Sequence, residues 1–323
     1  MAQPRGFYSA TLLENGRILV AGGFVQAPDR ELFGAELYDP RSNTWEPTGN
    51  LVTGRAGHAA VLLDDGKVLV AGGQAFDPQA RAFFLDSAEV YDPAIGRWTI
   101  TGSMAVPRTE PILTSLEDGK VFTSGAIRAR GPFAVSAEIY DPATGQWTRI
   151  ADMGTPRNDH AQILLDDGRV LVAGGFAGPM PGDVYHTSAE IYDPNSDTWA
   201  PTGSMTMARA DAEGVVLRDG RVLVTGGNTV LRPPTRTDTA EIYDLDTGTW
   251  TRTSGVMSDP KVDHASTMLK DGRVFVVGGI RSRDHPVASS DIYDPESDRW
   301  TPTASMLKAR GGFSAVALKH GRG

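Results

Sequence analysis

A tyrosine followed seven residues later by a tryptophan occurs six times in this chain: Tyr38 and Trp45, Tyr91 and Trp98, Tyr140 and Trp147, Tyr192 and Trp199, Tyr243 and Trp250, Tyr293 and Trp300. The chain has six tryptophans, and each is used once. A second marker keeps the same phase. It is an apolar run closed by glycine, typified by Val68-Leu-Val-Ala-Gly-Gly73. Its last glycine falls at Gly23, Gly73, Gly125, Gly175, Gly227 and Gly279, at intervals of 50, 52, 50, 52 and 52 residues. Two markers in one phase mean one supersecondary unit built six times. Such units bury their apolar faces by stacking on one another.

One unit reads as four strands. His58-Ala-Ala-Val-Leu-Leu63 is a short apolar run, strand A. Asp64-Asp-Gly-Lys67 follows, and Asp-Gly favours the positive φ angles of a tight hairpin. Val68–Ala71 is strand B, and Ser87–Tyr91, after a long loop, is strand C. Asp92-Pro-Ala-Ile-Gly96 turns the chain into strand D, Arg97–Ile100. Strands A and B are almost continuously apolar, as expected of strands covered on both faces. No segment carries sustained helical periodicity.

Four antiparallel strands per repeat of this length is the pattern of a β-propeller blade. With the Gly-Gly doublet, the Tyr and the Trp at fixed spacing, the chain resembles the kelch family over residues 5–318. The resemblance implies an all-β fold, a six-bladed propeller of four-stranded antiparallel blades, in one domain spanning 1–323. It does not by itself imply an activity, because such propellers host both binding modules and enzymes. Repeat three reads as Ser124-Gly125 in place of Gly-Gly, which predicts crowding where the doublet admits a neighbouring aromatic, and irregular packing there. Repeat five has Leu245 where the others have proline. Strand A occurs seven times, from Phe7–Leu13 to a surplus copy at 313–318. In many kelch propellers the C-terminal strand completes the first blade; either copy can close this one.

Lys and Arg number 31 against 40 Asp and Glu, a formal charge of −9. That balance argues against nucleic acid, whose binders need a basic face to replace phosphate counterions. There is no cysteine, hence no disulfide, no thiolate metal site and no cysteine nucleophile. No run approaches the ~20 apolar residues of a membrane helix. The N-terminus lacks a long apolar leader. The chain as it stands is expected in the cytoplasm, as a monomer; as a piece of a longer chain it fits a secreted or surface protein.

Strand alternation puts the D–A and B–C connections on one face of the blades and the A–B and C–D turns on the other. The turns are short and uniform, such as Asp166-Asp-Gly168, and serve geometry. The B–C loops vary in length and carry arginines and aromatics, the residue types from which binding surfaces above a rigid scaffold are made. Candidates there are Arg128, His186, Arg232 and Arg283. The D–A connection adds a basic column of Arg5, Arg55, Arg108, Arg157, Arg209, Lys261 and Arg310. Its expected partners are the strand-C acids Glu36, Glu89, Glu138, Glu190, Glu241 and Asp291, in ion pairs stitching neighbouring blades; the rival reading is an arginine ring holding an anion. Two residues after the basic column stand Glu110, Asp159, Asp211 and Asp263, an acidic arc that repels itself or recruits a cation. His58, His160 and His264 follow in alternate repeats. Three imidazoles are a weak candidate transition-metal set; packing within the blade is the preferred reading, and no metal or other cofactor is expected.

The leading expectation is a binding and interaction module that engages a protein or carbohydrate-like ligand on the loop face. One alternative is a non-redox enzyme on a sugar or sugar acid, with acid and base drawn from Glu110, Asp159, Asp211 or His186 and arginines clamping a carboxylate. The galactose-oxidase-like copper enzymes resemble the repeat, but their cofactor needs a cysteine joined to tyrosine, which this chain lacks. A second alternative is a structural propeller of a larger protein.

Overall fold

The computed structural model describes residues 1, 4–26, 29–76, 81–125, 135–177, 184–231, 234–282, 285–313 and 315; of 26, 29–31, 231 and 234 only the backbone is described. Six four-stranded antiparallel sheets lie among them, each in the order A-B-C-D. The first is Ser9–Leu12, Ile18–Ala21, Ala35–Asp39 and Thr44–Pro47; the second is Ala59–Leu62, Val68–Ala71, Ala88–Asp92 and Arg97–Ile100. The fourth runs from Ala161 to Thr202, the fifth from Glu213 to Arg252 and the sixth from Ala265 to Thr303 on the same plan. The fold is a six-bladed β-propeller of four-stranded antiparallel blades, as the repeat predicts. No helix occurs among the described residues, so none is long and apolar enough to cross a membrane. Contacts divide the chain into two units, one holding the first three blades and the other the last three.

In each unit the apolar core lies between consecutive blades. In the first unit, one cluster joins Leu19, Ala21 and Leu51 of the first repeat to Val68, Val70, Tyr91 and Trp98 of the second. A second joins Leu69, Ala71 and Met104 to Val121 and Tyr140 of the third. The two faces of strand B, Val68 and Val70 against Leu69 and Ala71, therefore pack on opposite neighbours. That is why strand B lacks polar alternation; full burial of each such side chain contributes about 1.5–3 kcal/mol. The second unit repeats the scheme, with Leu171, Ala173 and Met205 against Val222, Val224 and Tyr243, and Leu223 and Met257 against Val274, Val276 and Tyr293.

The Tyr and Trp markers pair across strands C and D, Tyr91 opposite Trp98, with ring centroids 5.0 Å apart. Trp98 then donates its indole N–H to Gly49 O of the preceding repeat at 2.8 Å. Trp250 does the same to Gly203 O at 2.9 Å. Trp98 and Trp250 thus staple their blades to the preceding ones.

The first blade is completed by the N-terminal copy of strand A, Ser9–Leu12, paired with Ile18–Ala21. Of the surplus copy, 314 and 316–318 lie outside the described residues. In repeat three, strand A is cut to Thr114–Ser115, the irregularity expected of this blade. The reason is different from the one the sequence suggested. Ser124 pairs with Ala137 as Ala71 pairs with Ala88, so Ser124 occupies the alanine position. Gly125, at φ 61°, stands with the first glycines Gly72 and Gly226, at 69° and 63°. Gly125 is therefore the first glycine of the doublet, one residue later in register than the sequence pattern suggests. The first glycine is needed because a Cβ on Gly72 or Gly226 would lie 2.5 Å from the carbonyl oxygen of the next blade's Arg108 or Lys261. That backbone carbonyl, not an aromatic ring, is the closest neighbour at both.

Candidate functional site

The loop face is built from backbone first. The residue after five of the basic residues forms a bridge with the start of its own B–C segment: Gly6 with Phe24, Ala56 with Gln74, Asn158 with Phe176, Ala210 with Asn228, Val262 with Ile280. D–A and B–C connections are therefore stitched together. Beyond the bridge the B–C segment forms a two-stranded ribbon in five of the blades, among them Phe24–Gln26 with Asp29–Glu31, Gln74–Phe76 with Ala82–Phe84, and Asn228–Leu231 with Pro234–Arg236.

The basic column is structural in its surroundings. Arg55, Arg108, Arg157, Arg209 and Lys261 are buried to 1% exposure or less. Arg55 donates to Gly72 O at 2.9 Å, to Ser87 O at 3.0 Å and to Glu89 Oε1 at 2.9 Å. Glu89 also accepts the backbone N–H groups of Val52 and Thr53, at 2.7 and 2.9 Å. Arg108 reaches Glu138 at 2.9 Å, Arg157 reaches Glu190 at 2.9 Å, Arg209 reaches Glu241 at 3.1 Å and Lys261 reaches Asp291 at 3.1 Å. Burial pulls the guanidinium pKa values of Arg55, Arg108, Arg157 and Arg209 down, and the paired glutamate opposes it. The partners are those expected, but the pair lies within one repeat. It pins the incoming connection to strand C of the blade that connection opens. Buried pairs of this kind set geometry more than they add stability.

The acidic column has a backbone cause. Glu110, Asp159, Asp211 and Asp263 sit at φ 51°, 50°, 55° and 49°, and Phe7, Gly57 and Gly312 of the same column at 53°, 60° and 63°. Left-handed backbone favours Gly and, next, Asp and Asn. The turn lets consecutive connections bond to each other. Gly57 N–H donates to Phe7 O at 2.9 Å, Glu110 N–H to Gly57 O at 2.7 Å, and Asp211 N–H to Asp159 O at 2.8 Å.

His58 and His264 are buried and pack on the preceding blade. His58 Nε2 lies 2.9 Å from Ser9 Oγ, and His264 Nε2 lies 2.7 Å from Thr225 Oγ1. Burial, with Arg55 or Lys261 nearby, pushes both imidazoles down to about 3, so they are neutral. His160 is also buried. Among the described residues, no three His, Asp or Glu side chains gather as a metal site. His186 is half-buried, its pKa lowered by burial and by Arg157; its Nε2 has no hydrogen-bond partner among the described residues. Arg128, Arg232 and Arg283 lie outside the described residues.

One residue of note is absent from the candidates that the sequence offers. Glu213 opens strand A of the fifth blade, where other blades have Ser9, Ala59, Ala161 and Ala265 in register. Burial, then the charge of Asp263, pushes its carboxyl up to about 7. A glutamate in an alanine column was the signal. Arg236, one of the arginines that the sequence places on the B–C loops, ends the ribbon of the fifth blade.

On the opposite face five A–B turns each hold an ion pair of their own, and Arg17 of the first pairs instead with Asp39 and Glu46. Lys67 pairs with Asp65, Lys120 with Asp118, Arg169 with Asp167, Arg221 with Asp219 and Arg273 with Asp271. A cavity of about 640 Å³ lies there between the turns of the fifth and sixth blades, lined by Arg218, Arg221, Arg273, Asp219, Asp271 and Glu296 among others. Two of its three guanidinium groups are thus held by turn carboxylates.

Comparison with known proteins places the repeat. A profile of the Kelch motif matches residues 15–51, 55–105, 161–206, 214–256 and 264–307, more than half of the chain. Spermatocyte protein spe-26 of Caenorhabditis elegans is 27% identical over 141 residues, 41% of this chain and 23% of that protein. Human Kelch-like protein 23 is 29% identical over 146 residues, 42% of this chain and 24% of that protein. The aligned part thus spans about a quarter of either relative. Among solved structures, YjhT superposes with a TM-score of 0.73 at 13% identity, covering 94% of this chain and 98% of that one. A fungal alcohol oxidase of the AA5 family, solved with copper, superposes with a TM-score of 0.74 at 19% identity, covering 95% of this chain and 66% of that one. At those identities the two structures speak for the fold alone. The markers, the blades and the motif profile agree: this chain belongs to the kelch-repeat family.

Proposed function

We propose that this kelch propeller is a protein-binding module whose contact face is formed by the B–C ribbons and D–A connections. One observation carries the reading. Large apolar side chains stand exposed on the B–C segments, with Phe33 at 47%, Phe83 at 48% and Val184 at 57%, while five of the A–B turns each hold an ion pair of their own. Exposed aromatics rimmed by polar groups mark interaction surfaces. Phe24 and Phe76, on ribbons of adjacent blades, lie 5.6 Å apart and extend the apolar surface across two blades. The kelch-repeat relatives support an interaction role. The test is cross-linking of captured partners followed by mass spectrometry. Cross-links are expected on residues of the B–C segments, and Phe33→Ser with Phe83→Ser should abolish capture. Cross-links confined to the A–B and C–D turns would sink the assignment.

A further inference from the structure

The buried cations of the D–A connections each hold a carboxylate, as described for Arg55, Arg108, Arg157, Arg209 and Lys261. Arg236 is different. It lies on the loop face at the end of the strand Pro234–Arg236, opposite Asn228 in register. Its side chain is partly buried, its Nε is fully covered and has no hydrogen-bond partner, and its Nη1 has a long contact, 3.5 Å, to Arg281 O of the sixth-blade ribbon. Among the described residues no carboxylate pairs with it. Asp211, the acid of its own blade's D–A connection, accepts instead from Asn228 Nδ2 at 2.7 Å.

A guanidinium partly withdrawn from water and without a counter-charge is stabilised by a ligand that supplies one. Arg281, on the neighbouring ribbon, is a second cation: it is 54% exposed and, among the described residues, has one ion pair, to Asp259 at 3.3 Å. We propose that Arg236, beside Arg281 of the next ribbon, is a seat for a carboxylate of an acidic segment on the bound protein. The planar fork of Arg matches a carboxylate in two parallel hydrogen bonds. The inference rests on the loop face being the contact face, and it adds the chemistry of the partner. Asp259 keeps Arg281 from being the deeper anchor, so Arg236 is the residue whose charge the ligand completes.

Fluorescence anisotropy with fluorescein-labelled hexaglutamate at low ionic strength tests the seat, with labelled hexalysine as the opposite-charge probe. The whole chain should bind hexaglutamate and not hexalysine. Arg236→Gln should weaken binding about tenfold or more, the scale of losing a two-point charged contact. Arg236→Lys should recover part of it, and Arg221→Gln on the opposite face should leave it unchanged. Equal melting temperatures of wild type and Arg236→Gln show that the fold is kept. No hexaglutamate binding, or equal binding by Arg236→Gln, overturns the seat. So does inorganic phosphate displacing the peptide at matched charge concentration, which would make the site a small-anion site. Partner capture separates this from the wider reading: if Phe33→Ser with Phe83→Ser abolishes capture and Arg236→Gln leaves it intact, the contact face stands and the seat falls.

Discussion

Tyr91 places its hydroxyl 2.7 Å from Thr48 Oγ1 of the preceding blade. Tyr140 repeats this with Thr101 at 2.8 Å. Tyr192 and Tyr293 instead donate to their own C–D turns, to Asp197 at 3.0 Å and Asp298 at 2.8 Å. The switch follows one position in the turn. Gly96 and Gly145 occupy it, at φ 64° and 68°, in the first type, and Asp197 and Asp298, both at φ 51°, in the second. The aspartate also accepts from the preceding blade, from Ala151 N–H at 2.9 Å and Ser254 N–H at 3.0 Å. One turn position thus selects between two interblade locks.

Exchanging the locks tests this. Thr48→Ala should cost about 1–2 kcal/mol by leaving the Tyr91 hydroxyl without its partner. Adding Gly96→Asp should return at least half, since the shortened residue 48 makes room: a Cβ on Gly96 meets Thr48 Oγ1 at 3.2 Å. Urea unfolding of the four proteins of the cycle measures the coupling. Additive losses would show that the two residues do not form one lock.

Arg108→Ala should destabilise by about 3–5 kcal/mol, because Glu138 is then left buried without its counter-charge. Arg108→Met with Glu138→Gln should cost markedly less, since no charge is stranded. The measurement is the urea midpoint in water at fixed pH. A double variant as unstable as the single one would mean that the hydrogen bonds to the backbone, not the charge balance, dominate.

Glu213 sets a pH dependence. Its folded carboxyl titrates at about 7 against 4.5 for the ordinary group, so between those values the folded chain keeps a proton that the unfolded chain releases. Stability from this group is complete below about 4.5 and falls as pH rises through 7, by up to roughly 3 kcal/mol. Glu213→Gln should flatten that part of the curve. Thermal unfolding of both proteins from pH 4 to 8 reads it, and parallel curves would refute the assignment.

Phe7 bears a left-handed backbone at φ 53° with its ring 51% exposed. Phe7→Gly should stabilise by about 1 kcal/mol through relief of that strain, and Phe7→Val should destabilise by a similar amount, since a branched Cβ tolerates positive φ least. Chemical denaturation decides the order; Val at or above Phe would contradict the backbone account.

The periodicity of Tyr, Trp and glycine was enough to define the blades, their strands and the partners of the basic column, because each is a local pattern repeated six times. Arg108 and Gly125 also lie 17 residues apart, as do Arg55 and Gly72, and the guanidinium-to-carbonyl bond joins both pairs. That spacing held the true register of repeat three, but only the strand pairing identified Ser124 as an alanine substitute. Folding decided what no one-dimensional pattern encodes. The acidic column proved to be a column of left-handed corners, a property of backbone angle and not of charge. Glu213 acquired its high pKa from burial and from Asp263, 50 residues away in sequence. Arg236 is set apart from the buried cations of the D–A connections by the lack of a paired carboxylate among the described residues, and partial burial without a counter-charge exists only once the chain has packed.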